Sequence, residues 1–356
     1  MTEMPLVLDA SIEADYATWV RLWETWESRE VWAHPGYGRL FASSEDKVVC
    51  AALYTGDGGI LLPMIMRPLS AEYWAADRES RWDVSSPYGY GGAFAWGADT
   101  RRQSRFWPWV DEWLRSHRVV SCFYRLALFE EQLLPGIAGR CYQRDNVVRS
   151  TKEPPDLIWR DYAPKVRKNV TRARASGLTC SIDPSGAGLD SFLEIYHATM
   201  RRRGASQFYF FDRPFFERLV QGLPGQFVFF HVFKGTDLLA SELALVSQDR
   251  VYSFLGGTDE RYFDLRPNDF LKHSVIEWTH QTGRSAFVLG GGAAPDDGIL
   301  RYKQSFAPRG LLPFYTSSKI LDQAGCDELI RQRTTAEARR GRTWTPAEGF
   351  FPPYRG

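Results

Sequence analysis

Apolar and polar positions in the second half of the chain alternate between a period near two and a period near 3.6. LTCSID (178–183) reads as a strand. DSFLEIYHATMRRR (190–203) puts Phe192, Leu193, Tyr196 and Met200 on one helical face, with Ser191 and Glu194 at capping-box spacing. A second short helix, DRPFFERLVQG, opens at Asp212 and Pro214 and stops at Gly222. Strands follow at 226–233, 237–246 and 250–257, joined by KGTD and SQD, which are hairpin-turn chemistry. Pro267 starts a helix with Phe270, Leu271, Val275 and Trp278 inward and Gly283 as its stop. The half ends with a short strand AFVLGGG, a short helix DDGILRYKQSF with Asp296 and Asp297 as expected caps, and a strand LLPFYT (311–316).

The first half repeats this order more faintly. A helix, DYATWVRLWETWE, precedes hairpin strands KVVCAALYT and GGILLPMIM, then a helix around RQSRFWPWVDEWLRSH and a strand VVSCFYRLAL. The pattern predicts an α/β protein with mixed α+β sheets in tandem domains. A length of 356 residues suits two domains, each of ~150–180 residues. The polar, proline-containing RSTKEPPD (149–156) marks the boundary, giving domains at 1–150 and 151–317. The tail, 318–356, holds a helix and a Trp/Pro/Phe-rich end expected to fold back on the first domain.

Composition narrows the classes. With 44 basic and 43 acidic residues the chain as a whole is no basic nucleic-acid binder, although local patches remain open. Cys50, Cys122, Cys141, Cys180 and Cys326 are scattered without a CxxC, so reduced, buried thiols of a cytoplasmic protein are expected. The opening MTEMPLVLDASIEADY has no signal-peptide pattern. No stretch reaches the ~18 uninterrupted apolar residues of a membrane span, so no integral membrane association is expected.

The element order of the second half resembles the GNAT acyltransferase fold. Several segments, in order, resemble the FemABX aminoacyltransferases and the related FemAB-like (BioF-like) GNAT proteins: SPYGYGG (86–92), YAPKVRKNVTRARASGL, ASELALV (240–246), YSFLGGT (252–258), RPNDFLKHSVIEWTHQTG (266–283) and LGGG…DDGILRYKQSF (289–306). The resemblance runs from about Trp32 to Phe306 and implies two tandem GNAT-like acyltransferase domains. The acceptor side would lie in the first and the acyl-transfer site in the second. The paired-helix arm that some bridge-forming members insert into the second domain is absent.

Candidate chemistry centres on the last of these segments. Lys303 is followed by Gln304 and lies late in its element, unlike the lysine of a phosphate loop. The nearest histidines, His273 and His280, sit on a helix with an apolar core face, so no metal is expected. An amide-forming site needs a cation or N–H donors for a tetrahedral oxyanion. Lys303, flanked by Tyr302 and Phe306, fits that need, and in FemABX proteins the aromatic–lysine pair belongs to the acyl-transfer site. A surface lysine lying over aromatic rings is the alternative. Glu242, alone among small and apolar residues in ASELALV, either faces the cleft and takes the amine's proton or sits on a solvated edge. Tyr252, Gly256 and Gly257 close a strand where a GNAT sheet splays, and a plain strand-to-loop turn is the alternative. Tyr88 and Tyr90 suggest an acceptor-binding loop or a structural turn. With Asn268 and Phe306 they complete the expected substrate contacts.

The run with Arg160, Lys165, Arg167, Lys168, Arg172 and Arg174 suggests phosphate contact, as does Arg203 within Arg201–Arg203. Solvated helix faces and a favourable helix C-terminus are the competing explanations. The connection GGTDERYFDLRPND lacks the pyrophosphate turn of acetyl-CoA-dependent GNAT domains. The expected donor is therefore an aminoacyl-tRNA, used without a bound cofactor, and the acceptor an amine on a small molecule, natural product or cell-wall precursor. An acyl-CoA-dependent N-acyltransferase and an inactive GNAT-like binding module remain as alternatives.

Overall fold

The computed structural model describes residues 5–356 apart from 55, 57, 76–79, 98, 99 and 293–297 and the side chains of 100–103. The expected caps Asp296 and Asp297 lie outside the described residues. The chain divides into two compact units, one of Met1–Glu27, Trp32–Gln143 and Phe314–Gly356, the other of Ser28–Val31 and Arg144–Pro313.

In the first unit, β1 (Leu6–Asp9) leads through α1 (Glu13–Glu24) and α2 (Pro35–Leu40) to a meander of β2 (Lys47–Tyr54), β3 (Gly59–Pro68) and β4 (Trp82–Ser85). Then come β5 (Phe94–Trp96), α3 (Thr100–Ser116) and β6 (Val119–Arg125). Two strands, β7 (Arg140–Ser150) and β13 (Leu311–Ile320), each cross a unit boundary. In the second unit, α4 (Pro155–Asp161), α5 (Pro164–Ala175), β8 (Leu178–Asp183), α6 (Leu189–Arg203) and α7 (Arg213–Gly222) precede the meander β9 (Phe227–Lys234), β10 (Asp237–Val246) and β11 (Arg250–Thr258). It is completed by α8 (Pro267–Gln281), β12 (Ala286–Gly291) and α9 (Gly298–Gln304). Helix α10 (Gln323–Arg339) returns to the first unit. Among the described residues no helix is long and apolar enough to cross a membrane.

The strand order has the same plan in each unit. The first runs β1-β2-β3-β4-β6-β13 with β4 and β6 parallel and every other neighbour antiparallel. The second runs β8-β9-β10-β11-β12-β7 with β11 and β12 parallel and the rest antiparallel. The last strand of each run is shared across a boundary: β13 completes the first run after the second in chain order, and β7 precedes its neighbours of the second run. The boundary expected within 149–156 therefore falls inside the second unit, because β7 has already entered it at Arg144. The tail belongs to the first unit, where Cys326, Leu329 and Tyr354 form a buried cluster with Leu69, Trp74 and Val120.

Burial explains the patterns. The run Val48–Leu53 in β2 is covered on both faces and so lacks alternation. Phe106, Val110 and Leu114 form the inward stripe of α3. In the second unit Phe230, Val232, Ala244, Val246, Phe270, Leu271, Val275 and Phe287 share one core. Two expectations need correction. Helix α6 starts at Leu189 with Gly188 as its N-cap, and the Asp183 carboxylate takes the N–H groups of Ser185, Gly186 and Gly188. Ser191 and Glu194 thus lie inside the helix rather than forming a capping box. Cys50, Cys122 and Cys326 are buried free thiols, but Cys141 is exposed, because the outer end of β7 faces solvent.

His34 caps α2, its Nδ1 accepting the Gly36 N–H at 3.1 Å. Its ring packs edge-on against Trp23 at 4.9 Å, and burial lowers its pKa to about 4. The unfolded chain takes a proton at this imidazole near pH 6.5, so stability falls as pH drops from there towards 4, by on the order of 3 kcal/mol at the low end. His34→Asn keeps a good N-cap residue without the titration. Its urea midpoint should fall less than the wild type's between pH 7 and pH 4.5, and equal losses in the two proteins would refute this assignment.

Candidate acyl-transfer site

Strands β11 and β12 pair from Arg250–Ala286 to Tyr252–Val288, and no pairing between them is found beyond that point among the described residues. β11 runs on to Thr258 against β10, while Gly290 and Gly291 of β12 pair with Val147 and Asn146 of β7. A cleft of about 710 Å³ opens there, lined by Ser253–Thr258, the first turns of α8 and one face of α9.

Glu242 stands on β10 opposite Gly256 of β11 and is 2% exposed. A Cβ at Gly256 would meet the Ser241 carbonyl at 2.8 Å, so only glycine lets β11 lie this close. Lys272, projecting from α8, donates to Glu242 Oε1 at 2.7 Å and to Ser253 Oγ at 2.9 Å. Glu242 Oε2 is buried, has no hydrogen-bond partner, and belongs to a residue lining the cleft. The solvated-edge alternative for Glu242 is excluded, since β10 lies between β9 and β11.

α9 brings Tyr302 and Lys303 to the opposite wall. Lys303 donates to the Gly291 carbonyl at 2.6 Å. The Tyr302 hydroxyl accepts from Asn268 Nδ2 at 2.9 Å, and burial holds the phenol well above its ordinary range, so it remains a neutral O–H. Asp269 is buried, which raises its carboxyl; the Asn169 side chain, at 3.1 Å, opposes that shift, as do Arg266 and Lys165. The charged lining is Arg202, Arg203, Arg266, Lys272 and Lys303 against Glu242 and Asp269, a surplus of cations suited to a phosphate-bearing ligand. Arg266 caps α8 in the left-handed region, φ 61°, with its Nε buried and unpartnered. That conformation is strained for any residue with a side chain.

Of the residues singled out from the sequence, Glu242, Gly256, Asn268, Tyr302, Lys303 and Arg203 meet in this cleft. Two expected substrate contacts are corrected. Phe306 is fully buried, edge-on to Tyr162 and Tyr302, so it supports Tyr302 from behind. Tyr252 is 3% exposed and donates to Glu30 Oε2 at 2.9 Å, beside the ion pair of Glu30 with Arg250. Tyr88 and Tyr90 lie in the first unit: the Tyr88 carbonyl accepts from the Tyr37 hydroxyl at 2.7 Å, and Tyr90 sits edge-on to Trp32 and Phe314.

The basic run divides between two faces of α5 and the helix before it. Lys165, Lys168 and Arg172 are exposed along one stripe of α5. Arg167 instead donates to the carbonyls of Arg160 and Tyr162, and Arg174 is engaged by His273 and Glu277. Arg160, on α4, is exposed beside Asp156. Lys272, Ser253 and Arg266 also line the cleft without having been singled out from the sequence. Lys272 did carry a signal: it stands three and four residues before Val275 and Ile276, on the buried face of α8.

The sequence over residues 161–304 matches the acetyltransferase (GNAT) domain family. These residues are a GNAT acyltransferase domain. No curated protein sequence matches the chain. Among solved structures it resembles FemX, at 11% identity over 88% of this chain and 98% of that one, with a TM-score of 0.63. It also resembles the C-terminal domain of a protein described as a lysylphosphatidylglycerol synthetase from Agrobacterium fabrum (12% identity, 90% and 97% covered, TM-score 0.53). A third is L-PGS from Bacillus licheniformis (10% identity, 90% and 96% covered, TM-score 0.52). At such identities the likeness is one of fold, and the fold is FemX-like along most of the chain.

Within the GNAT domain, β11 is held against α6 through a second glycine. A Cβ at Gly257 would meet Thr199 Oγ1 at 2.5 Å and the Ile195 carbonyl at 2.7 Å. Gly257→Ala must push the helix off the strand, at a cost of about 1–3 kcal/mol. A lowered urea midpoint is expected, and an unchanged one would show that this approach is not tight.

Proposed function

We propose that the protein forms an amide bond, moving an aminoacyl group from aminoacyl-tRNA onto an amine acceptor in the cleft of its GNAT domain. The observation that carries this reading is the Glu242 carboxylate: buried, fixed through one oxygen, and offering the other to a cleft whose lining carries a surplus of cations.

The chemistry follows from the placement. The acceptor nitrogen attacks the ester carbonyl carbon, forming the C–N bond, and passes a proton to Glu242 Oε2. The negative charge that develops on the carbonyl oxygen is met by the Lys303 ammonium, aided by the neutral Tyr302 hydroxyl. The C–O bond to the ribose then breaks, and the departing oxygen takes the proton from Glu242. Arg202, Arg203 and Arg266 suit the phosphates of a nucleic-acid donor, with the exposed Lys165, Lys168 and Arg172 available outside the cleft.

Two experiments test the reading. Candidate amines incubated with charged tRNA should give an amide product in an RNase-sensitive reaction. Turnover with acyl-CoA alone, insensitive to RNase, would replace the donor. Lys303→Met should lower kcat by about a hundred- to a thousandfold in a folded protein, and Lys303→Arg should rescue poorly because a planar guanidinium does not occupy an ammonium's point position. Near-full kcat in folded Lys303→Met would remove Lys303 from the mechanism.

A further inference from the structure

Glu242 can serve this reaction only if one oxygen stays open, and nothing in its own strand ensures that. We infer that Lys272 is a positioning residue that assigns the two carboxylate oxygens different tasks, with Ser253 fixing the lysine in turn. This rests on the acyl-transfer reading of the cleft.

Lys272 is 8% exposed, and its ammonium donates to both Glu242 Oε1 and Ser253 Oγ. Those two acceptors come from adjacent strands, β10 and β11, and the lysine comes from α8 above them. The ammonium therefore ties three elements at the mouth of the splay. Its ring neighbour, Phe287 at 5.7 Å, lies in the core and leaves little room for the chain to swing. With Oε1 held at 2.7 Å, rotation of the carboxylate about its terminal bond would break a charge-assisted hydrogen bond. Oε2 is thereby kept towards the substrate. Lys272 itself touches no reacting atom and transfers no proton.

The test compares wild type with Lys272→Met, Lys272→Arg and Ser253→Ala under saturating donor, each variant first checked for a cooperative thermal transition. Lys272→Met leaves a buried carboxylate without its cation, which threatens the fold; Ser253→Ala keeps both charges and only loosens the ammonium. In folded Lys272→Met kcat should fall at least tenfold with KM for the donor within about twofold of wild type. Lys272→Arg should restore part of kcat. Ser253→Ala should lower kcat severalfold with KM for the donor unmoved. A wild type that transfers acyl groups while folded Lys272→Met or Ser253→Ala keeps its kcat would overturn the inference and leave the acyl-transfer reading intact. A wild type with no transfer from any donor overturns both.

Discussion

The parting of β11 from β12 is the constraint on which the site depends. A parallel pair of strands normally continues for the length of both, since each peptide group left without a partner costs free energy. Here the ladder ends at Tyr252 and Val288. β11 continues because its other edge is held by β10 and its face by α6, while β12 turns to β7. The side of Ser253–Thr258 that would have faced β12 lines the cleft instead, and its peptide groups are offered to whatever fills that space. Glycines at 256, 257, 290 and 291 fit this opening: the first two let β10 and α6 approach β11, and Gly290 takes φ +82° where β12 shifts register.

The electrostatics follow from the same opening. A carboxylate buried at the base of a β-sheet is costly unless paired. Lys272 pairs one oxygen of Glu242, so the charge is tolerated without being used up. Around this, arginines from α6 and from the start of α8 make the remainder of the cleft positive. Two poles of opposite sign within one cleft suit a ligand that carries an anionic group at one end and brings an amine to the other.

The sequence made the second unit legible almost strand by strand, because α6 to α8 carry apolar faces at helical spacing, β9, β10 and β12 are short, largely apolar runs, and Pro214, Gly222, Pro267 and Gly283 punctuate them. Its site residues were found where one polar residue interrupts an apolar element, as Glu242 does. Three kinds of information were hidden. Long-range partners leave no local trace: Tyr252 reads as a cleft residue until Glu30, far away in sequence, is seen to hold its hydroxyl. Aromatic neighbours of a catalytic candidate look alike in sequence, so Phe306, which is core, could not be told from Tyr302, which reaches the cleft. The strands β7 and β13 each serve two units, and the proline-rich segment after β7 advertised a boundary that the hydrogen-bonded register places earlier.

The central claim is that the splay of the GNAT domain holds the reacting carbonyl between Glu242 and Lys303. A crystal structure with a non-hydrolysable donor mimic, an aminoacyl group joined to 3′-amino-3′-deoxyadenosine through an amide, tests it most directly. The mimic's carbonyl oxygen should lie within hydrogen-bond distance of Lys303 Nζ or of the β11 peptide groups, with Glu242 Oε2 facing the carbonyl carbon. A mimic bound wholly outside this cleft, with Glu242 and Lys303 untouched, would contradict it.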